Sequence, residues 1–109
     1  MISWSDFEKI DIRVGTIMEA NDFPNARKPS YQLTIDFGAL GIKRSSAQIT
    51  TLYEKEKLVG QQVIAVVNFP VKQIANFFSE CLVLGVYNET NDVVVLQPSL
   101  QVKNGCKIG

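Results

Sequence analysis

Residues Ile10-Asp11-Ile12-Arg13-Val14-Gly15-Thr16-Ile17-Met18-Glu19 decide the fold class. The run opens with strict alternation: Ile10, Ile12 and Val14 face one way, Asp11 and Arg13 the other. A period of two is the mark of a half-buried strand. Gly15 stands mid-strand, where glycine commonly accompanies a bulge or a sharp bend. A long first strand that curls through a glycine serves two sides of a small barrel.

The flanking residues agree with that reading. On the N-terminal side, Ser3 or Ser5 can cap a short helix that carries Trp4 and Phe7 and ends before Asp11. Residues 21–30 are a polar loop with Pro24 and Pro29. Tyr31, Leu33, Ile35 and Phe37 then alternate with Gln32, Thr34 and Asp36, a clean half-buried strand. After a turn at 38–41, Ile42-Lys43-Arg44-Ser45-Ser46-Ala47-Gln48-Ile49 returns as a notably polar strand, and the pair reads as a hairpin. Thr51-Leu52-Tyr53-Glu54 carries a capping-box pattern, which predicts a helix from there to near Gly60 with Leu52 and Leu58 turned inward. Residues 62–67 form a buried strand that Asn68-Phe69-Pro70 breaks, and 81–87 and 93–96 are two more strands joined by a polar turn. The order predicts a mainly β protein. A five-stranded barrel with a short helix between strands 3 and 4 is the OB-fold arrangement, while periodicity alone leaves other small β-barrels open.

Composition sets the bounds on function. A chain of 109 residues, 46% of them hydrophobic, is expected to form one domain over residues 1–109. Eleven basic residues balance eleven acidic ones, so no global electrostatic footprint for nucleic acid exists. The first residues lack the basic and apolar regions of a signal peptide, and no run approaches the ~20 apolar residues that span a bilayer. A cytoplasmic location without membrane insertion is the expectation. With no histidine, imidazole-based catalysis and histidine zinc sites are absent, and Cys81 and Cys106 make neither a zinc ribbon nor a disulfide framework. No glycine-rich phosphate loop is present. A binding protein without enzyme activity, metal or cofactor is expected.

The unusual segment is Asn68-Phe69-Pro70-Val71-Lys72-Gln73-Ile74-Ala75-Asn76-Phe77-Phe78-Ser79-Glu80-Cys81. It sets Phe69, Ile74, Phe77 and Phe78 among hydrogen-bonding side chains between two strands. Phe77 and Phe78 are adjacent, so in an extended segment they face opposite ways and one is exposed. Exposed aromatics there suit unpaired bases or the apolar side chains of a peptide. Phe69 and Ile74 equally suit a loop folded over the barrel end. For RNA the candidate contacts are Lys43, Arg44, Gln48, Asn68, Lys72 and Ser79, since OB-folds bind across strands 2–3 and adjoining loops. A solvated strand face is the alternative reading of the polar strand. Trp4 and Phe7, with Leu100, Val102 and Ile108 in the tail, lie outside the barrel strands and predict terminal extensions that meet across a homodimer axis.

Asp6-Phe7-Glu8-Lys9-Ile10-Asp11-Ile12-Arg13-Val14-Gly15 resembles the opening of the tRNA-binding domain family, appended to many methionyl-tRNA synthetases and also found free-standing. Asn68-Phe69-Pro70 and Ser79-Glu80-Cys81 resemble the region that family uses against tRNA. Ser45-Ser46-Ala47-Gln48-Ile49-Thr50 and Lys72-Gln73-Ile74 are more similar to its free-standing branch of export-related chaperones. The resemblance covers essentially the whole chain. It implies an OB-fold homodimer that binds unfolded or precursor polypeptides without ATP, with tRNA binding as the alternative. The neutral charge and the apolar pair Phe77-Phe78 favour polypeptide.

Overall fold

The computed structural model describes residues 1–109. A five-stranded antiparallel sheet, ordered β3-β2-β1-β4-β7, curls into a nearly closed barrel of the OB type. Its strands are β1 (Ile12–Asp22), β2 (Tyr31–Asp36), β3 (Ile42–Ala47), β4 (Gln62–Val66) and β7 (Leu82–Val83). Two hairpins stand on it, β5 (Lys72–Ile74) with β6 (Phe77–Ser79), and β8 (Gly85–Tyr87) with β9 (Val93–Val95).

β1 does serve two sides. Ile12 to Thr16 pair with β4, and Thr16 to Asp22 pair with β2. The bulge falls between Ile17 and Glu19, not at Gly15. Gly15 is needed for close approach instead: a Cβ there would lie 2.6 Å from Ile35 Cγ2 and 2.7 Å from Phe37 Cδ1. The strand can bend across the barrel because nothing protrudes where it passes over β2.

The alternation in β2 places Tyr31, Leu33 and Ile35 inside, and Phe37 follows them into the core. Val63, Ala65, Leu58 and Cys81 complete the same cluster. Helix α1 (Trp4–Glu8) starts as the sequence indicates, with a capping box between Ser3 and Asp6. Helix α2 (Lys55–Leu58) is shorter than expected, and the Thr51 capping box does not form. Glu54 occupies the cap position without a side-chain bond, and Leu58 alone is buried while Leu52 is 47% exposed. Four residues leave one turn of helix, which can turn only one apolar residue inward.

Both ends of the chain are tied to the barrel. Asn68 Oδ1 accepts from the Asp11 amide at 3.0 Å, and its Nδ2 donates to the Lys9 carbonyl at 2.7 Å. The tail runs along the start of β1, with Val14 N–H donating to Cys106 O and Ile108 N–H to Ile12 O. Gln62 holds Val102 through both its main-chain groups, at 2.7 and 3.1 Å. No helix is long and apolar enough to cross a membrane.

Candidate functional site

β3 and β7 are the two edges of the curled sheet. Because every neighbouring pair is antiparallel, these edges run in the same direction. They meet at a seam. There Glu80 N–H donates to Arg44 O at 2.8 Å, and Ser45 Oγ donates to Cys81 O at 2.9 Å. Arg44 N–H donates to Glu80 Oε1 and Ser46 N–H to Ser79 Oγ, completing the seam. Cys81 lies beneath it, and burial pushes its thiol from an ordinary 9.0 up to about 12. It is a packing group and not a nucleophile.

Hairpin β5–β6 rises from this seam, and its register sorts the phenylalanines. Ile74 pairs with Phe77 and Gln73 with Phe78, so the two aromatic rings occupy opposite faces. Phe77 is 2% exposed: its ring stands 5.3 Å from that of Phe23, with the Arg44 guanidinium 4.3 Å above it. Phe78 is 55% exposed. Ala75 makes the tight turn at φ +53°, where such hairpins prefer glycine.

The expected site residues therefore divide. Phe69, like Phe78, is open to solvent, and Val71 between them is an exposed apolar residue not singled out in the sequence. Ile74 is half-buried, and Phe77 is inside, where it supports the hairpin and cannot touch a ligand. Ser79 donates to Cys81 O besides accepting from Ser46, so its hydroxyl serves the seam. Asn68 has its amide turned to Lys9 and Asp11 in the same structural way. Arg44 and Lys72 are exposed and Lys43 is half-buried, and Arg44 also reaches Gln32 Oε1 at 3.4 Å. Gln48 is exposed beyond the end of β3. Of the residues expected at a two-fold axis, Trp4 and Leu100 are exposed, and Phe7 and Ile108 are half-buried.

Beside the seam lies a groove of about 610 Å³. Its walls include Gln48, Thr51 and Leu52 on one side and Leu82, Val83 and Tyr87 on the other. Apart from Gln48, none of these is conspicuous in the sequence. Leu82 and Leu52 read as core from their apolar character, yet both are about half exposed on the groove wall. No three histidine, cysteine, aspartate or glutamate side chains converge as a metal site would require.

The chain compares closely with known proteins. A family model described as "Putative tRNA binding domain" matches residues 12–107. The crystal structure of chaperone CsaA from Bacillus anthracis is 53% identical and superposes with a TM-score of 0.95, covering 100% of this chain and 99% of that one. The CsaA chaperone protein from Picrophilus torridus is 54% identical with a TM-score of 0.94, and both chains are covered in full. Methionine–tRNA ligase of Bacteroides fragilis is 35% identical over 107 residues. That match spans 98% of this chain but only 16% of the ligase. The barrel, the seam and these matches agree: the chain belongs to the tRNA-binding domain family, and within it to the CsaA type.

Proposed function

We propose that this chain, a single domain over residues 1–109, holds unfolded or precursor polypeptides without ATP, as a cytoplasmic homodimer serving export. One observation carries the reading: hairpin β5–β6 keeps Phe77 inside as a prop and leaves Phe78 bare on the other face. An exposed aromatic on a braced hairpin is the kind of anchor that dominates peptide interfaces. Phe69 and Val71 extend the apolar character of the segment. The two similar CsaA proteins, of Bacillus anthracis and Picrophilus torridus, are chaperones, which supports the same reading. So does the balance of eleven acidic and eleven basic residues, since no strong field competes with apolar contact. The role is binding and not catalysis.

A second reading has its own support. The family name includes tRNA, and Arg44 lies over Phe77 of the hairpin that also carries Lys72. Lys72 pairs with Ser79, which bonds β3, so its side chain leaves the hairpin on the barrel-facing side. The two readings differ in salt dependence. Apolar burial is nearly indifferent to salt, whereas about six phosphate contacts lose roughly a thousandfold over a fourfold salt increase. Titrating labelled unfolded peptide and labelled tRNA at two salt concentrations, on wild type and Lys72→Glu, separates them. Peptide affinity is expected to hold at both salts and in the variant. Peptide binding that vanishes at high salt, beside tRNA binding that Lys72→Glu weakens, would replace the first reading with the second.

A further inference from the structure

Strand β2 ends its pairing with β1 at Thr16 and Asp36, and residues 104–108 take over beside the first part of β1. The join between them is tight. Gly38, at φ +64°, has the main-chain oxygen of Asn104 where a Cβ would stand. Gly105, at φ +94°, would set a Cβ 2.7 Å from the oxygen of Phe37. Neither position admits a side chain. Asn104 is pinned as well: its Oδ1 accepts from Thr16 Oγ1 at 2.7 Å and from Gln62 Nε2 at 3.2 Å. Arg13 Nη1 donates to Gly105 O at 3.1 Å, and Gly105 N–H donates to Val14 O at 2.7 Å. The join thus sets asparagine before an obligatory glycine, a pair found nowhere else in the chain.

That pair is chemically fragile. A main-chain nitrogen can attack the side-chain carbonyl carbon of an asparagine that precedes it, and glycine, with no Cβ, hinders the attack least. The Gly105 nitrogen loses its proton to solvent base and bonds Asn104 Cγ. The Cγ–Nδ2 bond breaks, and Nδ2 takes a proton from water and leaves as ammonia. Water then opens the succinimide. Cleavage of its N–Cγ bond gives aspartate, while cleavage of its N–C bond gives isoaspartate, whose main chain runs through the former side chain. Docking opposes the first step. The proton on the attacking nitrogen is held by Val14 O, and two donors fix the orientation of the carboxamide.

The two products differ in what they do to the join. Both side-chain bonds of Asn104 go to its oxygen, so aspartate accepts the same two and stays docked. Isoaspartate lengthens the main chain and displaces Gly105 from Val14 and Arg13. It also leaves a free carboxylate where the Asn104 carbonyl meets Gly38. We propose that Asn104 is a modification site: when residues 104–108 lift from β1 it deamidates through a succinimide with Gly105, and isoaspartate then bars the segment from redocking. The main chain of Ile12 and Val14 is left as an open sheet edge, a template for association with other chains. The chemistry is the same whichever ligand, polypeptide or RNA, the barrel holds.

The test incubates the intact protein at mildly alkaline pH, folded or in denaturant, and follows Asn104 by peptide mass spectrometry, with isoaspartate resolved from aspartate by chromatography. Folded protein is expected to deamidate at least ~10-fold more slowly than unfolded, since only the open fraction reacts. Thr16→Val removes one donor to Asn104 and should raise the folded rate roughly fivefold, the weight of one hydrogen bond. Gln62→Ala tests the second donor independently. In isolated isoaspartate protein the Val14 and Ile108 amides should exchange at least ~10-fold faster than in unmodified protein, while Asn104→Asp leaves them protected. Equal rates folded and unfolded, no reaction even in denaturant, or unaltered rates in both variants overturn the proposal. So do isoaspartate chains whose Val14 and Ile108 amides stay protected. Loss of protection in Asn104→Asp would assign undocking to charge alone and overturn the role of the lengthened main chain.

Discussion

Truncating Phe77 and Phe78 one at a time should give opposite results, although the two are neighbours of the same chemistry. Phe77 is 2% exposed, and its ring meets Phe23 at 5.3 Å and Arg44 at 4.3 Å. Phe77→Ala removes this buried ring and leaves a cavity, at a cost of about 3–5 kcal/mol. Loss of the guanidinium contact adds about 0.5–1 kcal/mol. For a domain of about 100 residues, 3 kcal/mol lowers Tm by at least about 12 °C. Phe78 is 55% exposed, so Phe78→Ala should leave stability within about 0.5 kcal/mol of wild type. Its cost appears in binding: about 2 kcal/mol, or roughly thirtyfold in Kd, for an anchor aromatic. The assay pairs thermal unfolding with anisotropy of a labelled unfolded peptide, at low and high salt. A Phe78→Ala protein that binds the peptide as wild type does, or a Phe77→Ala protein with unchanged Tm, would refute the reasoning from hairpin register.

The packing, the buried thiol and the exposed ends of the chain each lead to a further expected outcome. Gly15→Ala should destabilise by about 1–3 kcal/mol in denaturant unfolding, since its methyl would sit 2.6 Å from Ile35 Cγ2 inside a packed core. The Cys81 thiol, raised to about 12, should resist alkylation at pH 8 in the folded protein while the exposed Cys106 reacts. Because folding raises this pKa from 9.0, the protonated thiol's contribution is complete below pH 9 and declines as pH rises from 9 toward 12, which unfolding at stepped pH in wild type and Cys81→Ser would reveal. Sedimentation at micromolar concentration should show a dimer of the 12.1 kDa chain, and Trp4→Glu with Leu100→Glu should convert it to monomer; a wild type that sediments as monomer would refute the two-fold interface.

The sequence by itself determined the half-buried strands of the barrel. The period-two runs in β1 and β2 can bury only one face, and that alternation is local chemistry readable residue by residue. The cap of α1 was legible for the same reason, because Ser3 and Asp6 satisfy each other within one turn. Thr51 and Glu54 have the same spacing, yet the chain leaves them in a turn and starts α2 only at Lys55. A local signal of that size yields when the connection must set Leu58 in the core and reach β4 through Gly60. That one of Phe77 and Phe78 is exposed followed from their adjacency, but which one required tertiary structure. Phe23, Arg44 and the β3 seam, all remote in sequence, hold the inner place for Phe77. Asn68 and Ser79 carry the same lesson: polar side chains that read as ligand contacts are turned to main chain arriving from distant parts of the chain. The groove was hidden for a related reason. It lies where residues 46–52 come beside residues 82–85, which are remote in sequence, and no single stretch of residues encodes that meeting.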